Sequence, residues 1–167
     1  LQSGKDKKWQ STKVILPNNL KSYTMKNEKF EFSYVEKPKQ KLKSNFNERK
    51  GKGLNGFIDF EDFYDWFVNQ DKKCYYCGIE EHTVQQIVVQ GLLTSNRFPL
   101  NGKIMQGRSR GIWLEVDRIH PKENYSRDNA VLCCYFCNND KSDVFHGIEY
   151  KKFFQNRAGY LRDLIKK

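Results

Sequence analysis

Five cysteines occur in a chain of 167 residues, four of them as Cys74-x-x-Cys77 and Cys134-x-x-Cys137, with 56 residues between the pairs. Two residues between thiolates let both sulfurs reach one ion from a single turn, and two such turns complete a tetrahedral sulfur site. Disulfides would need an oxidising compartment, and no positively charged start leads into an apolar block that would mark a secretory signal. A redox dithiol accounts for one Cys-x-x-Cys but not for two. The expectation is a structural zinc ion on Cys74, Cys77, Cys134 and Cys137. Cys133 is left over; on a strand beside Cys134 it should face the other way, as a small core residue.

The residues around the second pair are more specific. Leu114-Glu115-Val116-Asp117-Arg118 is followed by Tyr125, by Asn129-Ala130-Val131-Leu132, and by Cys134-x-x-Cys137-Asn138 with Lys141 beyond. In this order the segment resembles the HNH nuclease superfamily, or ββα-metal fold. Within it, the likeness is to the zinc-binding variant in which the strand ends in Asp-Arg, found in a rare-cutting restriction enzyme and in small phage and bacterial proteins. The resemblance covers about residues 57–155 and leaves out residues 1–56. It implies an α+β ββα-metal core stapled by a four-cysteine zinc site, with flanking helices; the basic N-terminal arm before it is read from charge alone. The resemblance also implies DNA hydrolysis to 5′-phosphate and 3′-hydroxyl ends, Asp117 and Asn138 as ligands of a catalytic Mg²⁺ or Mn²⁺, and Asn129 as the residue that fixes the loop backbone.

The residue chemistry is compatible with that assignment. Asp117 offers the hard oxygen that such a cation requires, and Asn138, in the first helical turn, can add a carbonyl oxygen. Two protein ligands leave positions for water and a scissile phosphate. Taken singly, Asp117 would be an ordinary strand-end carboxylate, Asn138 a helix cap and Asn129 a turn residue. Lys141, three residues after Asn138 on the same helical face, could meet a phosphate or simply be solvated.

One departure concerns the general base. Most HNH enzymes carry Asp-His at the strand end, where this chain has Arg118. A guanidinium with a pKa of about 12 or more does not take a proton from water at neutral pH, although it can hold a phosphate and stabilise developing charge. Of three histidines, His120 is nearest to Asp117 and would share a strand face with Arg118; His82 and His146 lie further along the chain. The base must then be another residue, a metal-bound water or the substrate phosphate; among side chains His120 is the first candidate and Tyr125 a weaker one.

These residues need elements to place them. Asp59 is a plausible N-cap, with Glu61 and Asp62 in the first turn, for a helix running to about Gln70 on an aromatic stripe of Phe60, Phe63, Tyr64 and Phe67. Ile112–Asp117 alternates as a strand and Ala130–Cys134 forms a second. A short helix should begin near Cys137 and reach Lys141, and residues 148–165 should form one closing helix. Thr83–Leu93 suits either a helix or a strand pair. Lys13–Leu16 and Phe30–Val35 have the composition of short strands.

The charge of +10 is concentrated: residues 1–56 hold 14 Lys and Arg against 5 Asp and Glu, and the rest 16 against 15. Lys37, Lys39, Lys41, Lys43, Arg49, Lys50 and Lys52 lack helical apolar periodicity, so residues 1–56 are expected to be a basic arm or DNA-recognition subdomain, with the nuclease domain at 57–167. Arg108 and Arg110 could grip the backbone near the metal. Such a block suits a polyanion, either nucleic acid or an acidic membrane surface, or serves as a solubilising tail. No apolar run approaches about 18 residues, and the expected setting is cytoplasmic. The function expected is therefore a metal-dependent DNA endonuclease of restriction or phage type, acting as a homodimer because one small site cuts one strand. The alternatives are a degenerate zinc module that binds nucleic acid without cutting it, or an interbacterial toxin with an acidic immunity partner; a restriction role would call for a modification partner.

Overall fold

In the computed structural model the described residues are 32–99, 109–154 and 156–166, and Phe32–Lys167 form one compact unit. The expected strand at 13–16, the first residues of that at 30–35, and Arg108 lie outside the described residues. Residues 32–38 are irregular, not strand.

The first element is α1, Lys39–Gly51, which corrects the reading of this stretch as an unpacked arm. Pro38 precedes it with its carbonyl accepting from Lys41 and Leu42. Leu42 and Phe46, four residues apart, are buried. Phe46 packs on Phe60 and Phe63, with ring centroids 5.8 and 5.6 Å away. Two apolar residues in thirteen are too few to read as a periodicity, yet they suffice to seat one helical stripe. The expected domain edge near residue 56 therefore falls inside a packed unit.

Helix α2, Phe60–Val68, starts as expected: Asp59 Oδ1 accepts from the Asp62 amide at 2.9 Å. Its Phe63, Trp66 and Phe67 are buried. The chain then enters the first cysteine turn, closed by the Gly78 amide donating to the Cys74 carbonyl at 2.8 Å, with Gly78 at φ +74°. A residue without Cβ takes that left-handed conformation at no steric cost. The ambiguous segment after it is helical: α3 is Glu81–Val89, with Val84, Ile87 and Val88 inward.

Strands β1, Glu115–Arg118, and β2, Ala130–Cys133, pair antiparallel with Asp117 opposite Val131 and Arg118 opposite Ala130. The expected strand from Ile112 is shorter because side chains take the place of a ladder at Leu114. Its amide donates to Glu81 Oε2 at 2.7 Å, and its carbonyl accepts from Lys37 Nζ at 3.0 Å. Helix α4, Tyr135–Lys141, starts two residues earlier than expected, capped by Cys134 Sγ, which accepts from the Cys137 amide. The tail is two helices rather than one, α5 (Gly147–Phe154) and α6 (Arg157–Ile165). Tyr150 of α5 packs edge-on against Tyr76, whereas α6 lies against α3, and the bend lets both contacts form.

Candidate active site

The four paired cysteines converge. Cys74, Cys77, Cys134 and Cys137 are buried, unbridged, and have all four sulfurs within 4.8 Å of one another. Cys77 and Cys134 sulfurs are 3.9 Å apart. Tetrahedral zinc with bonds of about 2.3 Å would set sulfur–sulfur distances at roughly 3.8 Å, so the cage fits that ion closely. Hydrogen bonds from the Cys134 thiol, foremost, hold the Cys74 and Cys77 thiols below their ordinary range. Arg157 Nη1 approaches Cys137 Sγ at 3.7 Å, and is itself held by Tyr150 Oη and Asp140. Cys133 is outside this set and fully buried, and burial pushes its thiol up.

Beside the cage, β1 and the start of α4 open on a cleft of about 290 Å³ whose lining includes Asp117, Arg118, Tyr125, Asn138 and Arg110. Asp117 is nearly buried at 6 % exposure. Its Oδ2 accepts from Tyr76 Oη at 2.6 Å and pairs with Lys141 Nζ at 3.1 Å. Burial, and then the charge of Asp117, push the Tyr76 phenol up, so it stays protonated and donates. Lys141, expected to meet a phosphate or to be solvated, is fully buried, and its ammonium pairs with Asp117.

Asn138 Nδ2 donates to Glu115 Oε2, and Glu115 is also clasped by Arg110 through Nε at 2.9 Å and Nη2 at 2.6 Å. Arg110 is thus tied to a carboxylate rather than standing free. Glu115 had no assigned role in the sequence reading, although its signal was present: two residues before Asp117, it shares that strand face.

The loop between the strands carries the remaining candidates. Asn129 is buried; its Oδ1 accepts from the His120 amide at 2.7 Å, and its Nδ2 donates to the carbonyls of His120 (3.1 Å) and Asn124 (2.9 Å). One side chain thereby ties three backbone groups of the loop. Arg118 Nη1 donates to the Glu123 carbonyl at 3.0 Å, with its guanidinium over the Tyr125 ring. His120 is not among the residues lining the cleft: its Nδ1 lies 2.7 Å from His146 Nε2. His82 is exposed, beside Thr83.

The basic residues in and beside α1 separate into two groups. Lys37, Lys41, Arg49 and Lys52 line a groove of about 470 Å³ that shares Arg110, Tyr125 and Asn138 with the Asp117 cleft. Lys39 instead pairs with Glu61 and lies over the Tyr64 ring, Lys43 lies over Phe60, and Lys50 is exposed. Within the groove Lys52 is paired with Glu48 at 2.6 Å, and burial lowers Lys37 to about 8.

A two-stranded hairpin followed by a short helix, stapled by four cysteines and opening beside an Asp and an Asn, is the α+β fold of the HNH type. Among solved structures the chain is similar to the rare-cutting HNH restriction endonuclease PacI, at 23% identity over 73% of this chain and 78% of that one, with a TM-score of 0.55. No protein-family model matches the sequence, and no curated protein matches it.

Proposed function

We propose that this protein is a divalent-metal-dependent DNA endonuclease. The observation that carries the reading is the continuity of a basic groove with a cleft containing both Asp117 and Asn138, on a fold shared with a restriction endonuclease. Asp117 Oδ1 and the Asn138 carbonyl oxygen would hold Mg²⁺ or Mn²⁺, since Asp117 Oδ2 is committed to Tyr76 and Lys141. The ion would polarise the phosphate and lower the pKa of bound water. Arg118 faces the substrate phosphate and offsets the charge that builds on its oxygens. Tyr125 lines the same cleft, and burial holds its phenol protonated, so it enters as a hydrogen-bond donor. Asn129 keeps the loop between them in shape. His120 meets His146 through Nδ1, and its part as the base is left to the His120→Ala variant, which keeps full turnover if another group takes the proton.

A restriction or phage-related role, action as a homodimer, and a modification or immunity partner follow from the fold by analogy. A cytoplasmic setting would keep the cysteine cage reduced and zinc-loaded. Among the described residues no helix is long and apolar enough to cross a membrane.

A second reading, a zinc module that binds nucleic acid without cutting it, is favoured by the Lys141–Asp117 pair, which neutralises the ligand carboxylate from within. Nicking of supercoiled plasmid with Mg²⁺ or Mn²⁺ decides between them. Wild type should cut and Asp117→Ala should not, while both shift DNA in a gel. Binding without nicking in either metal establishes the second reading, and equal cutting by Asp117→Ala removes the metal assignment.

A further inference from the structure

The segment before α2 does more than supply positive charge. Tyr125 is gripped by it through both backbone groups: its amide donates to the Leu54 carbonyl at 2.9 Å, and its carbonyl accepts from the Gly56 amide at 2.7 Å. The approach is so close that a Cβ on Gly56 would lie 3.0 Å from the Tyr125 carbonyl oxygen, tighter than packing ordinarily allows. The side chain is held as well. The Arg49 guanidinium lies 5.0 Å from the Tyr125 ring centroid and 5.2 Å from that of Phe63, wedged between α2 and the loop. Arg118 lies over the same Tyr125 ring, also at 5.0 Å. Arg49, Tyr125 and Arg118 thus form one stack from α1 into the cleft that contains Asp117.

We propose that Arg49 is a positioning residue for the reaction, acting through Tyr125: its guanidinium, with the Leu54–Gly56 clamp, holds the loop so that Tyr125 and Arg118 face the scissile phosphate. The inference rests on the nuclease reading for its consequence in catalysis, but not for the stack itself. It separates Arg49 from the other basic residues of the groove. A phosphate contact contributes affinity and salt dependence, whereas a residue spent on holding a ring contributes to the rate at saturating substrate. It also accounts for the use of arginine, because a planar guanidinium stacks on two aromatic rings where a compact ammonium does not.

The test compares the full-length wild type with Arg49→Lys and Arg49→Met, the latter keeping the aliphatic stem. Three quantities are read: single-turnover cleavage of a DNA duplex at saturating protein with Mn²⁺, duplex affinity in Ca²⁺ across a salt series, and hydrogen exchange of the Tyr125 amide. Both variants should cut on the order of 10²-fold more slowly. Their affinity should stay within about threefold and their salt slope unchanged, and the Tyr125 amide should exchange faster. Unimpaired cutting by Arg49→Lys overturns the stacking argument. A loss of affinity with a salt slope shallower by about 1 and an intact saturated rate makes Arg49 a phosphate contact instead. If wild type does not cut at all, the nuclease reading fails, and the exchange measurement still decides the stack: unchanged Tyr125 protection in Arg49→Met overturns it.

Discussion

At the scale of single residues, the buried pair at Asp117 is the sharpest feature. Lys141 and Tyr76 both serve Oδ2, so removing the cation leaves a carboxylate nearly enclosed with one neutral partner. Lys141→Met should therefore cost about 3 kcal/mol or more of stability, read from urea unfolding of the zinc-loaded protein. A change of under about 0.5 kcal/mol would mean that the pair is solvent-screened, as exposed pairs are. Lys37 gives a second, pH-dependent prediction. Burial lowers it to about 8 from an ordinary 10.5, so between those values the unfolded chain binds more protons than the folded one. Stability should then rise with pH from about 8 toward 10. The gain should reverse above about 10, where tyrosines held protonated in the fold, Tyr34 and Tyr76 among them, ionise on unfolding. Urea midpoints at pH 7.5 and 9.5 would show it, and Lys37→Met should flatten the rise.

At the scale of elements, what was legible in the sequence depended on whether the signal was local. The Asp59 cap, the aromatic stripe of α2 and the two cysteine turns are local patterns, and each appears where its spacing puts it. The β1–β2 hairpin and α4 were legible too, with ends moved by side-chain partners that no spacing reveals, such as Glu81 and Lys37 at Leu114. Helix α1 was hidden because its stability comes from a tertiary contact of two residues, Leu42 and Phe46, beneath a surface of lysines whose stems cover aromatic rings. The same limit applied to the site. Asp117 and Asn138 were marked by sequence order, whereas the turning of His120 onto His146 and the burial of Lys141 depend on how loops and helices pack. If α1 is an integral element, Phe46→Ala should cost about 3–5 kcal/mol, since a nearly enclosed ring with contacts to Phe60 and Phe63 is removed. For a helix that merely rests on the surface, the loss would be under about 1 kcal/mol, and thermal unfolding separates the two.

At the scale of the whole molecule, the asymmetry of charge takes a different meaning once α1 is seen to be packed. Residues 1–56 hold nearly all of the net positive charge, and a chain starting at residue 57 is the natural experiment on an arm that only adds affinity. The fold argues for a larger effect. Such a chain loses Leu42 and Phe46 from the core, exposes Phe60 and Phe63, and frees both backbone groups of Tyr125 from Leu54 and Gly56. It also loses one wall of the groove, formed by Lys41, Arg49 and Lys52. The truncated protein should therefore unfold at markedly lower temperature and cut DNA poorly even at saturating concentration. Its binding should have a salt slope shallower by about 2, as expected when the phosphate contacts of Lys41 and Lys52 are removed. The cysteine cage, built from residues 74–137, should still take up zinc at low temperature, which shows whether the loss is of the whole fold or of the α1 side alone. Weaker binding with an unchanged unfolding temperature and an undiminished saturated rate would return residues 1–56 to the status of a detachable arm, and the stack on Tyr125 would have no part in the reaction.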